Sequence, residues 1–276
     1  MPVLSPTDVR ALLADNGLHP SRALGQNFLA DANTAQRIAR LAEVGSTDRV
    51  VEIGPGLGSL TLALAATGAH VLAVELDRHL IPVLGAVVTG AGDITVEQGD
   101  ALDYDFAARL GGDSWCCVSN LPYNVATPVV LRLLEDVPQI GRLVVMVQRE
   151  VGERLVAAPG SRTYGAPSVK VAYHAEARLI GAVPASVFVP RPKVESVLVR
   201  LDRRHTPAVE LSSPETMFGL VRAGFGQRRK MLRRSLRPIL GDRVDGVLAA
   251  AGVDPRARAE SLDLAAWAAL SREAGS

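Results

Sequence analysis

The chain has 276 residues, 48% of them hydrophobic, with 30 basic and 29 acidic side chains and a formal net charge of +1. That length and apolar content suffice for a large core and exclude a disordered chain. Two adjacent cysteines, Cys116 and Cys117, exclude a disulfide framework and metal-ligand spacing; with no apolar run near twenty residues and no signal-peptide pattern at residues 1–10, they predict a soluble, cytoplasmic, reduced protein.

Ser5-Pro-Thr-Asp8 starts a helix, with a capping hydroxyl, a proline tolerated in the first turn and an acid at the positive end. It should run to about Asp15. Residues 19–29 hold too many turn formers to continue it, and Gly25-Gln-Asn-Phe-Leu29 reads as a loop anchored by Phe28 ahead of a second helix over 32–42. The β-branched run Val50, Val51, Ile53 then leads into glycines at 54, 56 and 58 and a helix from Ser59. Closely spaced glycines let the backbone bend tightly and admit a ligand where a Cβ would clash. The helix start offers free amides to that ligand. The third glycine comes one residue earlier than in the dinucleotide fingerprint, which counts against a nicotinamide cofactor.

A strand over 70–76 delivers Glu75, 21 residues after Gly54, where a carboxylate can accept from two ribose hydroxyls. A further strand, 94–98, ends in Gly99-Asp100, suited to hydrogen-bonding an adenine amine. From residue 49 the period is strand, helix, strand, helix, which predicts a parallel sheet covered by helices on both faces. The set Glu52, Gly54, Gly56, Glu75 and Asp100 resembles the S-adenosylmethionine site of the Rossmann-like methyltransferases.

The fourth strand, 114–119, empties into Asn120-Leu-Pro-Tyr123, which must lie beside the glycine turn because ligands of open α/β sheets bind beyond the strands' carboxyl ends. The exocyclic amine of adenine is a poor nucleophile, its lone pair being delocalised into the ring. Two acceptors on its two hydrogens, the Asn120 side-chain oxygen and the Leu121 carbonyl stiffened by Pro122, would draw the nitrogen toward a tetrahedral geometry. Tyr123 would stack on the extruded base. The methyl donor is already activated, so positioning and electrostatics carry the rate.

Residues 143–147 predict a fifth strand and 148–155 a helix, and the runs 169–180 and 194–201 alternate like a closing β pair. A composition shift after Arg203 places a boundary near 205. This gives a domain over 1–205, with a helical lead-in over 1–45, and a helical tail over 206–276. Residues 222–243 carry eight basic side chains against one acid, a local charge of +7 that leaves −6 on the rest of the chain. Arg229, Arg233 and Arg237 recur every four residues, as do Leu232, Leu236 and Leu240, so a single helix with a basic and an apolar stripe is expected.

Gly25-Gln-Asn-Phe-Leu29, Val51-Glu-Ile-Gly-Pro-Gly-Leu-Gly58, Glu75-Leu-Asp77, Gly99-Asp-Ala101, Asn120-Leu-Pro-Tyr123, Pro190-Arg-Pro-Lys-Val-Glu-Ser196 and Phe225-Gly-Gln-Arg-Arg-Lys230 occur in order. Over residues 5–270 the chain thereby resembles the small-subunit ribosomal RNA adenine dimethyltransferase family, the KsgA type. The resemblance implies a Rossmann-like class I methyltransferase fold with a mostly parallel seven-stranded sheet and a small all-helical C-terminal domain. It implies S-adenosylmethionine as cofactor, with no metal, held by Asn27, Leu29, Gly54, Gly56, Glu75, Asp100 and Asn120, residues 25–29 acting as a cofactor lid. Asn120, Leu121 and Tyr123 would act on the target base, and Arg228, Arg229, Lys230 and Arg233 on RNA.

The implied reaction adds two methyls to each of two adjacent adenosines in a hairpin loop near the 3′ end of small-subunit ribosomal RNA. The implied substrate is a pre-assembled particle, the enzyme a monomer, and no membrane takes part. Because a singly methylated amine keeps one hydrogen, the second transfer should depend on pocket room more than on Asn120. Ala166-Pro167 departs from the family pattern at one loop. Two other readings stay open: a large-subunit ribosomal RNA adenine methyltransferase of the antibiotic-resistance type, and a non-catalytic RNA-binding assembly factor on the same fold.

Overall fold

The computed structural model describes residues 3–211 and 213–275. Seven strands form one sheet: β1 (Arg49–Ile53), β2 (His70–Glu75), β3 (Ile94–Gln98), β4 (Trp115–Asn120), β5 (Ile140–Gln148), β6 (Ala175–Val183) and β7 (Ser196–Arg203). Their order across the sheet is β3-β2-β1-β4-β5-β7-β6. The neighbours among β1 to β5 pair parallel, and β7 runs antiparallel to β5. The parallel strands are those that the strand–helix period predicts, and the whole is the mostly parallel seven-stranded Rossmann-like sheet that the resemblance implies. Consecutive residues such as Val50 and Val51, or Val144 and Val145, are both buried, so each face is covered, which is why these strands read as continuous apolar runs.

The strand order turns back between β1 and β4: the chain proceeds outward from β1 to β2 and β3, then returns to place β4 on the other side. At such a switch point the loops leaving the two carboxyl ends part in opposite directions and open a crevice. Helices Ser59–Ala65 and Ala126–Asp136 follow these two loops. The N-terminal helix, Pro6–Asp15, starts as predicted: Ser5 Oγ accepts from the Asp8 amide, and the Asp8 carboxylate accepts from the Ser5 amide.

The chain divides into two compact units, one comprising residues up to Gly152 with Arg178–Arg203, the other Glu153–Ala177 with everything from Arg204 onward. The second unit thus draws in a segment that the sequence reading left within 1–205. In place of a strand over 169–174 there is a helix, Ala166–His174, followed by β6. Pro167 sits in its first turn, Ser168 Oγ accepts from the Gly165 amide at 3.0 Å, and Val169 and Tyr173, four apart, enter one apolar cluster with Phe218, Leu236 and Trp267. The departure at Ala166-Pro167 is therefore a helix start.

The expected single basic helix is also interrupted. Helix Pro214–Gly226 ends at a turn closed by the Lys230 amide on the Gln227 carbonyl, and short helices Leu232–Ser235 and Arg237–Leu240 follow, Pro238 falling in the first turn of the last. Proline has no amide to continue a helix through that position. The apolar stripe survives: Leu232, Leu236 and Leu240 are buried. Gly224 is there for closeness, since a Cβ on it would stand 2.8 Å from the buried Trp267 ring.

Candidate active site

The glycine turn after β1 is shaped by backbone conformation and by its neighbours. Gly56 has φ +59°, and a Cβ there would lie 2.9 Å from Cδ1 of buried Phe28. Gly54, at φ +67°, presses toward the Asn120-Leu-Pro-Tyr123 loop, and a Cβ on it would meet Pro122 Cδ at 3.3 Å. Its amide donates to the Val74 carbonyl at 2.9 Å, and Ser119 Oγ accepts from the Ile53 amide at 2.9 Å. The two strand ends are thereby locked side by side.

Glu75 ends β2 facing that turn. Its Oε2 accepts from the Gly56 amide at 3.0 Å and its Oε1 from the Asp77 amide at 2.9 Å. Burial raises its pKa above the ordinary carboxylate value, and the amides of Asp77 and Gly56 pull it back. Glu52 lies deeper, 1% exposed, and burial pushes its pKa up to about 8. Thr61 opposes that shift without reaching full hydrogen-bond geometry, and the charge on Glu75 reinforces it. Asp100 is exposed at the crevice, its Oδ1 accepting from the Leu102 amide at 2.9 Å. The loop behind it is held by Arg132, which donates to the carbonyls of Ala101 and Tyr104 at 2.5 and 2.9 Å.

Asn120, the last residue of β4, uses its amide nitrogen to donate to the Asn27 main-chain oxygen at 3.3 Å, so its side-chain oxygen is left as an acceptor. The Leu121 amide extends the ladder by donating to the Met146 carbonyl at 3.1 Å, and among the described residues no donor meets the Leu121 carbonyl. Pro122 fixes the backbone after it. The Tyr123 hydroxyl lies 2.8 Å from Oγ of fully buried Ser196, the first residue of β7, and burial raises the phenol's pKa.

Residues 25–29 close the crevice as a braced wall. Gln26 Nε2 donates to Asp77 Oδ2 at 2.9 Å, and Asn124 Nδ2 donates to the Ala23 carbonyl at 3.1 Å. Phe28 and Leu29 pair antiparallel with Val189 and Phe188, and Ser59 Oγ donates to the Leu29 carbonyl at 2.5 Å. Phe28 is thus both the core anchor read from the sequence and the packing partner of Gly56.

All nine residues expected at the base and cofactor sites, Asn27, Leu29, Gly54, Gly56, Glu75, Asp100, Asn120, Leu121 and Tyr123, line one cleft with about 1100 Å³ of empty space, its open mouth included. Gln26, Ser59 and Ser196 are neighbours of the site that the sequence reading did not single out as site residues; Gln26 and Ser196 stood in quoted motifs, and Ser59 only opened a predicted helix.

The expected RNA residues lie in the other unit. Arg228 is engaged there, with Nε 2.7 Å from Glu260 and Nη2 donating to the Arg162 carbonyl at 2.8 Å. Arg233 pairs with Asp245 at 2.7 Å. Arg229, Lys230 and Arg234, all exposed, form no ion pair among the described residues and are open cations.

The family model described as "Ribosomal RNA adenine dimethylase" matches residues 19–275. The chain belongs to that family. It is 47% identical over 273 residues to "Ribosomal RNA small subunit methyltransferase A" of Cutibacterium acnes, covering 95% of this chain and 91% of that one. It is 46% identical to the protein of the same name from Leifsonia xyli subsp. xyli, with 98% of each covered. Among solved structures, the 23S rRNA methyltransferase ErmE matches with a TM-score of 0.67 at 27% identity, over 91% of this chain and 100% of that one. A dimethyladenosine transferase from Plasmodium falciparum matches with a TM-score of 0.71 at 24% identity, over 88% and 95%, which bears on the fold. Both agree with a class I methyltransferase fold.

Proposed function

We propose that this protein dimethylates the exocyclic amines of two adjacent adenosines in a hairpin loop near the 3′ end of small-subunit ribosomal RNA, with S-adenosylmethionine as methyl donor. The observation that carries the reading is Asn120 with its amide nitrogen tied to Asn27 and its oxygen left to accept, next to a Leu121 carbonyl that no donor among the described residues meets. Two adjacent acceptors suit the two hydrogens of an adenine amine and favour a tetrahedral nitrogen whose lone pair is localised on it.

The residues present fit the cofactor. Glu75 keeps acceptor capacity beyond its two backbone bonds, Gly54 and Gly56 leave a cradle that a Cβ would fill, and Asp100 stands exposed at the far end for an adenine amine. Asn27 and Leu29 form the opposite wall. S-adenosylmethionine, when bound, supplies an electrophilic sulfonium methyl. The chain contributes orientation: Asn120 and Leu121 direct the amine, Tyr123 stacks on the base, and the wall of residues 25–29 excludes water from the reacting atoms. No strong general base is required, because the amine proton becomes acidic once the nitrogen is alkylated.

The open cations Arg229, Lys230 and Arg234, with ion-paired Arg233, support docking on ribosomal RNA. A second, helical unit suits a substrate presented by a pre-assembled particle in the cytoplasm, engaged by a single copy of the enzyme. Among the described residues no helix is long and apolar enough to cross a membrane.

The test is methyl transfer from labelled S-adenosylmethionine to undermethylated small ribosomal subunits, followed by nucleoside mass analysis. Dimethyladenosine in the small-subunit RNA is expected. Label confined to large-subunit RNA would favour the reading suggested by the likeness to ErmE. Donor binding without transfer anywhere would favour a non-catalytic assembly factor.

A further inference from the structure

We infer that Ser196 is a positioning residue: its buried hydroxyl fixes the Tyr123 ring and thereby governs whether a singly methylated adenine receives its second methyl. The inference rests on the functional reading above.

Ser196 is fully buried and opens β7, where its backbone pairs with Gln148 at the end of β5. Its Cβ is therefore set by the sheet, not by a loop. Its Oγ lies 2.8 Å from the Tyr123 hydroxyl, and among the described residues it has no other side-chain partner. Tyr123 sits on the loop after β4, half-buried, with its ring lining the cleft. An aromatic face binds a base without regard to rotation or small slides, so stacking alone does not define where the amine points. A hydrogen bond from the far end of the ring to a sheet-fixed hydroxyl removes that freedom.

The demand on the ring differs between the two transfers. The unmethylated amine offers two N–H groups, one for Asn120 Oδ1 and one for the Leu121 carbonyl, and two bonds fix the orientation of the base. The monomethylated amine offers one N–H. One polar anchor is lost, the base can pivot about the other, and the stacked ring must supply the remaining constraint. Loosening the ring should therefore reduce the second transfer more than the first, by about fivefold, the factor that one neutral hydrogen bond commands.

Wild type, Tyr123→Phe, Ser196→Ala and the double variant are compared on undermethylated small subunits. The ratio of dimethyladenosine to monomethyladenosine is read at equal first-transfer turnover, and S-adenosylmethionine affinity is measured calorimetrically without RNA. Each single variant is expected to lower the ratio about fivefold, and the double variant no further, because both remove the same bond. Donor affinity should stay within about twofold, and Ser196→Thr, which keeps a hydroxyl, should recover most of the ratio. An unchanged ratio in Tyr123→Phe overturns the inference even if Ser196→Ala does not fold, as do losses that multiply in the double variant. Normal wild-type dimethylation with either of those results overturns this inference alone, whereas a wild type that makes no dimethyladenosine overturns the functional reading and this inference with it.

Discussion

The side-chain amide nitrogen of Asn120 donates to the main-chain carbonyl of Asn27, 93 residues earlier, at 3.3 Å. That bond leaves the Asn120 oxygen to accept, so the residue's two ends have separate duties. Removing it in Asn120→Ala should lower the first methyl transfer by about 10²- to 10³-fold, the usual loss for one preorganised polar group. The second transfer, with one N–H left to satisfy, should fall less. Single-turnover assays on unmethylated and monomethylated RNA measure both; a second transfer hit harder than the first contradicts this account.

Gly56 takes φ +59° and lies against Phe28. In Gly56→Ala the left-handed backbone costs about 1–2 kcal/mol, and the ring must also move. The wall of residues 25–29 would shift with Phe28. Reduced donor affinity by calorimetry is expected together with a lower melting temperature; unchanged affinity would mean that the wall does not touch the cofactor.

Glu52 has its pKa raised from 4.5 to about 8 by burial. Between those values the folded ligand-free protein keeps a proton that the unfolded chain has released, so stability falls as pH rises through the window. The loss is at most about 5 kcal/mol, taking 1.36 kcal/mol per pKa unit. Glu75 is shifted in the same direction. Glu52→Gln cannot titrate, so wild type should lose melting temperature relative to it between pH 5 and 8. Parallel melting curves across that range would refute the assignment.

Arg228 and its neighbours should separate by function. Arg228→Ala loses the Glu260 pair and the bond to the Arg162 carbonyl, both inside the helical unit, and should destabilise that unit by about 1–2 kcal/mol. Replacing Arg229, Lys230 and Arg234 with glutamine should leave stability nearly unchanged. It should reduce the slope of log affinity for RNA against log salt by about 2–3. If the slope stays as in wild type, these residues form only a solvated face.

Short spacings carry the part of this fold and site that is legible in the residues alone. Glycines two apart after a β-branched run dictate the turn, a strand–helix period dictates the parallel sheet, and the rule that ligands bind beyond strand ends puts Asn120-Leu-Pro-Tyr123 beside Gly54. Those signals depend on neighbours within a few residues, so they survive without coordinates. Tertiary structure alone decided the rest. Val169 and Tyr173 read as strand until the helical core claimed them, because alternation and a four-residue spacing overlap in so short a run. The basic stripe looked continuous because charge periodicity does not register the turn at Gln227–Lys230 or the helix restart at Pro238. Ser196 meets Tyr123 across 73 residues, and Glu52 reaches its perturbed state through burial by elements distant in the chain. Long-range approach and desolvation are properties of the packed molecule, and no local pattern carries them.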